Sequence, residues 1–300
     1  MESERERVGL LYEHPAWSTS LIERLTDRGI EVDAVDVGAG RPGRSLAGGR
    51  APVGRWINRV NALPSAGRGP SVVAATSHLL LGLELRGHRV VNGHRTWTIG
   101  ASKAAQVELF DALGLAAPSS LLIDDPASAP AAAAELVFPV LVKPNVGGSG
   151  RGIQRFDRLE DLRAAIDGGL VTLGIDGTGL VQRVVEPADG LVHRIEMLGS
   201  ALFYATDQAV ESGVFNYCAA DGCAVDGGIA LVDPDPEVVR DAAAVMAAAG
   251  ADVAAVEYLV DAATGRPCFF DFNPYSNFVA GRDHELGFDP IERYLDHVLA

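Results

Sequence analysis

The chain has 300 residues, 48% of them hydrophobic, and 40 acidic side chains against 25 basic ones give a net charge of −15. That length suffices for two or three packed subdomains, and the charge speaks against a nucleic-acid surface because phosphate backbones would be repelled. The three cysteines, Cys218, Cys223 and Cys268, have no metal-ligand spacing and leave one over in any disulfide scheme, which suits a reducing cytoplasm.

Met1 leads into the polar run Glu2 to Arg7, too polar for a signal peptide. Val8–Tyr12 reads as a strand, Ser18 as the cap of a helix that closes at Gly29, and 30–37 as the next strand. This βαβ start predicts a parallel α/β layer with a right-handed crossover. The loop Glu13 to Trp17 falls at a strand C-terminus, where open α/β sheets bind ligands. Residues 38–54 are rich in Gly, Pro and Arg and read as an excursion. A strand over 55–60, a helix over 71–86 and a buried strand over 89–92 follow.

Near residue 96 the rhythm changes. Ser102 and Lys103 open an amphipathic helix with Val107, Phe110 and Leu113 at helical spacing and Gly114 as its stop. A turn and strand occupy 115–123, a short helix 126–135, and an apolar strand runs from Phe138 to Lys143. The spacing then predicts a strand over 153–156, a capping box Asp157-x-x-Glu160 and a helix over 159–166. Residues 179–186 form a strand entering the polar corner Pro187 to Gly190, and 191–198 pairs with 201–206 around Gly199 and Ser200. Asp235 and Pro236 start a helix that Gly250 ends. The Ala-rich stretch near 241–260 is broken by Asp252 and Glu257, so no membrane span is expected.

Chemistry concentrates in two places. Only two of the 25 Lys+Arg are lysines, Lys103 and Lys143. So strong an arginine bias follows codon composition and erases lysine wherever arginine will serve. The two survivors therefore mark positions that need a compact ammonium, a point charge on a thin stem that fits between phosphate oxygens. Behind Lys143 comes Asn145-Val-Gly147-Gly148-Ser149-Gly150-Arg-Gly152. A P-loop would place lysine after its glycines and open a helix, and a dinucleotide fingerprint would also run from strand into helix. Here a strand follows, so the glycines form a hairpin tip able to fold over phosphates with backbone N–H groups.

The second place is the pair of strands 253–260 and 268–273. With the reversal symmetric about Thr264, Glu257 lies opposite Asp271, and Asn273 shares the face of Asp271. Two facing carboxylates repel unless a cation sits between them, and oxygen-only donors select a hard ion such as Mg²⁺.

Together, in this order and spacing, these motifs resemble the ATP-grasp superfamily, on the branch of the RimK-like and lysine-biosynthesis carboxylate–amine ligases. The resemblance implies a mixed α/β and α+β chain: a Rossmann-like pre-ATP-grasp domain over 1–95, a small central lid over 96–180, and a larger antiparallel-sheet subdomain over 181–300 that carries the metal and substrate site. It implies that Lys103 and Lys143 hold the α- and β-phosphates of ATP, with Gly147, Gly148, Ser149, Gly150 and Gly152 as the cover over the β- and γ-phosphates. Gln182 and the backbone of Arg183, Val184 and Val185 would read adenine, and Glu186 or Asp189 the ribose hydroxyls. Arg194 would face the substrate carboxylate and the transferred phosphoryl group, Asn216 the phosphates, and Glu257, Asp271 and Asn273 would chelate two Mg²⁺ ions, with Mn²⁺ as a substitute. Tyr275, Asn277 and Arg282 follow the metal strand and could anchor the substrate's own carboxylate.

Arg183 stands where this hinge usually has an acid, His193 replaces the acid that often precedes the arginine, and Asp271 replaces the more frequent Glu. The segment Asn273 to Phe278 is not the usual glutamate-ligase ending, so glutamate is not carried over as substrate. The resemblance implies a cytoplasmic, ADP-forming ligase that joins a small carboxylate to an amine through an acyl phosphate. Its partners are then small molecules, with neither nucleic acid nor membrane, and a homodimer is compatible with it. Two alternatives on the same fold are a phosphotransferase that stops at the phosphorylated product and a non-catalytic ATP-binding protein. A nicotinamide oxidoreductase built on the first βαβ lacks a glycine at its first turn.

Overall fold

Alternating apolar strands and amphipathic helices build the first layer of the computed structural model, which describes residues 6–38, 54–61, 71–148, 150–210, 229–275, 278 and 283–300. Strands β1 (Arg7–Tyr12), β2 (Glu31–Asp36), β3 (Arg55–Arg59) and β4 (Arg89–Val91) pair in parallel in the order β2-β1-β3-β4, with α1 (Pro15–Asp27) and α2 (Ser71–Glu84) as crossovers. One face packs Val8, Leu10, Leu25 and Ile57 against Tyr294, Leu295 and Val298 of a helix from the far end of the chain, Pro290–Leu299. The other face packs Leu11, Val35 and Trp56 against Leu80 and Trp97. Helix α1 starts at Pro15, not at Ser18. His14 is the cap, and proline suits the first turn because its missing N–H needs no partner there.

Two short helices follow, α3 (His94–Ala101) and α4 (Lys103–Ala112). Ser102 separates them and accepts the Ala105 N–H on its hydroxyl, so it caps α4 as expected. The second sheet holds β5 (Ser120–Ile123), β6 (Val140–Pro144), β7 (Gln154–Phe156) and β8 (Gly179–Arg183), antiparallel throughout, in the order β5-β8-β6-β7. Helices α5 (Ala129–Ala134) and α6 (Leu159–Asp167) cover one face, burying Ile123, Val140, Val142, Phe156, Leu162 and Val181. The expected capping box is absent. Arg158 occupies the cap position, and Asp157 instead accepts a 3.0 Å bond from Arg155 Nε.

The third sheet is antiparallel and five-stranded: β9 (Leu191–Leu198), β10 (Ala201–Ala209), β11 (Ala230–Val232), β12 (Val253–Val260) and β13 (Pro267–Asn273), in the order β11-β10-β9-β12-β13. One face carries Ile195, Met197, Val256, Phe269 and Phe272 against Phe110 of α4 and Val245 and Met246 of α7 (Pro236–Ala249). Asp235 caps α7 by accepting the Glu237 N–H at 2.7 Å, and Gly250 ends it in the left-handed conformation, φ 67°. The opposite face of β9, β12 and β13 carries polar side chains and opens toward the other two sheets.

Asn92 ties the layers together. It adopts a left-handed conformation, φ 55°. Its Nδ2 donates to the carbonyls of Val253 (2.7 Å) and Pro274 (2.5 Å), and its Oδ1 accepts from the backbone of Asp252 and Val253. The end of the parallel sheet is thereby bolted to the start of β12 and the end of β13. Among the described residues no helix is long and apolar enough to cross a membrane.

Candidate active site

The β12–β13 reversal sets Glu257 directly opposite Asp271, as the sequence predicts, but the hairpin is not symmetric along its length. Near the turn Val260 pairs with Pro267 and Tyr258 with Phe269. A bulge then leaves Phe270 unpaired and brings Glu257 opposite Asp271. On β9, Arg194 is the register partner of Glu257. One row therefore crosses three strands as Arg194, Glu257, Asp271, all on the polar face.

Each carboxylate of that row is held by a cation. The Arg194 guanidinium donates through Nη1 to Glu257 Oε1 and through Nε (2.9 Å) and Nη2 (2.7 Å) to Glu196 Oε1. Lys103 Nζ pairs with Asp271 Oδ1 and reaches Gln106 Oε1 at 3.3 Å. Glu257 is 5% exposed, and its burial pushes its carboxyl up to about 7. The nearby Arg194 opposes that rise and Asp271 reinforces it.

Lys143 is the last residue but one of β6 and is also buried. Its Nζ donates to Gln182 Oε1 at 2.8 Å, and Gln182 Nε2 donates to the Ser120 hydroxyl at 2.7 Å. Burial lowers the ammonium from 10.5 to about 7; the like charge of Lys103 adds to this and Asp271 counters it. The glycine run lies where the sequence predicts, at the β6–β7 hairpin. Gly150 (φ 67°) and Gly152 (φ 76°) take conformations that side chains disfavour. Asn145 couples this hairpin to α4: its Oδ1 accepts from the Ser102 hydroxyl and the Ala104 N–H, and its carbonyl accepts from the Lys103 N–H.

These parts line one cavity of about 250 Å³. Lys103, Lys143, Gly147, Gly148, Gly150, Gln182, Arg183, Val184, Val185, Arg194, Glu257, Asp271, Asn273 and Tyr275 all face it. Three expected residues stand off its wall. Gly152 lies beyond the loop tip, Glu186 accepts from Arg155 Nη1 at 2.8 Å, and Asp189 pairs with His193 Nε2 at 2.9 Å. Ser149, Asn216, Asn277 and Arg282, and also Cys218 and Cys223, lie outside the described residues. Cys268 is buried, and its thiol is pushed up to about 11 by that burial.

Sequence reading missed the bracing residues. Gln106 fastens α4 to β13: its Nε2 donates to the Phe272 carbonyl (3.0 Å) and its Oε1 accepts the Phe272 N–H (3.2 Å). Asn92, Asn145 and Glu196 were missed as well. For Gln106 and Glu196 the available signal was a polar residue inside an apolar helical or strand pattern; Asn92 and Asn145 follow strand ends and carry no such signal.

No family model and no curated protein matches the sequence. Solved structures do. The ATP-grasp ligase PsnB, complexed with a minimal precursor, superposes with a TM-score of 0.69 at 18% identity over 99% of each chain. A RimK domain ATP-grasp protein from Sphaerobacter thermophilus gives 0.68 at 20% identity, over 98% of this chain and 100% of that one. The chain has an ATP-grasp fold. D-alanyl-alanine synthetase A from Vibrio cholerae gives 0.68 at 13% identity over 99% of this chain and 98% of its own. PsnB is also solved with Mg and ADP.

In an ATP-grasp frame the residues present fit a metal–nucleotide. Glu257 and Asp271 offer an all-oxygen donor set suited to a hard divalent ion, and each now leans on a cation as its counter-charge. The two ammonium groups and the glycine backbone offer positive charge and N–H donors to a polyanion on the same cavity wall.

Proposed function

We propose that the protein is an ATP-dependent ligase that joins a carboxylate to an amine through an acyl phosphate, releasing ADP and phosphate. The observation that supports this most is the row Arg194–Glu257–Asp271 facing the same cavity as Lys103, Lys143 and the glycine hairpin. In this reading residues 1–95, 96–180 and 181–300 act as pre-domain, lid and metal-bearing subdomain.

The substrate carboxylate oxygen attacks the γ-phosphorus; a P–O bond forms and the bond to ADP breaks. Lys143, Lys103 and Arg194 oppose the charge spread over the transferred group. The backbone of Arg183 to Val185 and the side chain of Gln182 hold the base. Glu257, Asp271 and Asn273 would hold Mg²⁺, which supplies charge neutralisation at the phosphates. The amine then attacks the acyl carbon, the C–N bond forms, phosphate departs with the C–O bond's electrons, and the surplus proton of the amine leaves on the departing phosphate. The glycine hairpin excludes the water that would hydrolyse the acyl phosphate.

The first reading of the substrates is small and amino-acid-like. A peptide carboxylate is the second, supported by the likeness to PsnB, which has been solved with a precursor peptide. Phosphate release screened over amino acids, small carboxylates and acidic peptides, each with and without an amine, tests both readings by product mass. Amine-dependent mass gain with stoichiometric ADP is expected. ADP with a phosphorylated product that ignores the amine would point to a phosphotransferase, and nucleotide binding without phosphate release to a sensor.

A further inference from the structure

Glu196 follows Arg194 by two residues on β9 and shares its face of the sheet. It is 2% exposed and does not line the cavity. Its sheet row continues through the small Ala255 to Asn273, alongside the row that holds Arg194, Glu257 and Asp271. One oxygen, Oε1, accepts from both Nε and Nη2 of Arg194, while the other, Oε2, has no hydrogen-bond partner among the described residues. Burying a carboxylate with one oxygen unmatched is unfavourable, and a neutral or apolar side chain would serve a merely structural site better. The charge at 196 therefore serves the arginine.

The guanidinium is divided between two acids. Glu196 takes its Nε–Nη2 edge, and Glu257, in the proposed metal pair, takes only Nη1. An arginine fork left free would close on a single carboxylate with two parallel bonds. At Glu257 such a pair would compete directly with a divalent ion.

We propose that Glu196 is a positioning residue. It retains one edge of Arg194 so that Glu257 can be surrendered to a divalent cation while Nη1 stays over the cavity for the charge that develops there. The inference rests on the ligase reading above and adds a residue that touches neither nucleotide nor metal.

The test is Mn²⁺ binding, read by electron paramagnetic resonance in the presence of a non-hydrolysable ATP analogue, for wild type, Glu196→Gln and Glu196→Asp. Glu196→Gln is expected to bind Mn²⁺ about tenfold more weakly and to lose kcat by a similar factor, with KM for ATP little changed. Analogue binding without metal stays at the wild-type level. Glu196→Asp keeps the charge and recovers part of the loss, and it carries the comparison if the Gln variant does not fold. Equal Mn²⁺ affinity in wild type and both folded variants, with only the melting temperature lowered, would overturn the inference. So would an equal loss in the Asp and Gln variants. A wild type that binds no Mn²⁺ with the analogue would instead overturn the ligase reading itself.

Discussion

Lys143 donates its ammonium proton to Gln182 Oε1 at 2.8 Å inside the cavity wall, on a side chain only 7% exposed. Replacing it by methionine keeps the stem and removes the charge. Turnover of Lys143→Met is expected to fall at least ~10²-fold, the scale of deleting one charge-stabilising donor. Lys143→Arg should not restore it, because the broad fork does not fit a slot shaped for a thin stem. Steady-state ADP release decides this, and a methionine variant working at the wild-type rate would remove the phosphate role.

The same lysine fixes a pH dependence. Its pKa falls from 10.5 to about 7 on folding, so between those values the unfolded chain binds the proton more tightly. Stability therefore rises as pH climbs from about 7 toward 10.5. Glu257 runs the other way: raised from 4.5 to about 7, it holds its proton more tightly when folded, so stability falls as pH rises through that window. The ligand-free protein should be least stable near neutrality. Urea midpoints across pH 5 to 10 check this: Lys143→Met should flatten the alkaline limb, and Glu257→Gln the acid limb.

Glu257→Gln should also separate stability from function. At pH 8 the wild-type chain carries a buried ionised carboxylate, whereas glutamine fills the same volume without charge and Arg194 retains Glu196 as its counter-ion. The variant is expected to melt no lower than wild type at pH 8 while metal-dependent turnover drops at least ~10²-fold. Calorimetry paired with ADP release gives both readings.

Asn92→Ala should loosen the join between the parallel sheet and the β12–β13 pair. It removes four side-chain hydrogen bonds to backbone at Asp252, Val253 and Pro274 and leaves buried groups unmatched. The expected cost is about 3 kcal/mol, read from the denaturant midpoint. A change under about 0.5 kcal/mol would show that water replaces those bonds.

What the sequence discloses is the local part. Lys143 before its glycines, Asp235 before Pro236, and Ser102 before its helix each carry their signal within a few residues, and each stands where expected. Helix α3, HRTWTIGA, is only eight residues long, and Trp97 and Ala101 at helical spacing are too short a pattern to announce it. Asn92, Gln106 and Asn145 bond to partners far along the chain, which leave no trace in neighbouring residues. Glu186 and Asp189, which the resemblance implies for the ribose, stand off the cavity wall and pair with Arg155 and His193. The facing of Glu257 and Asp271 was legible for an incomplete reason, since symmetry about Thr264 predicts it only because Phe270 is an extra residue.

That extra residue constrains how this hairpin can change over generations. Phe269 and Phe272 enter the aliphatic layer, while Phe270 and Asp271, consecutive in the chain, both line the cavity. Were the ladder to continue from the turn without interruption, Asp271 would fall opposite Val256 and drop among the side chains packed on α7. Loss of Phe270 itself would leave the acids opposed and strip only an aromatic ring from the pocket lining.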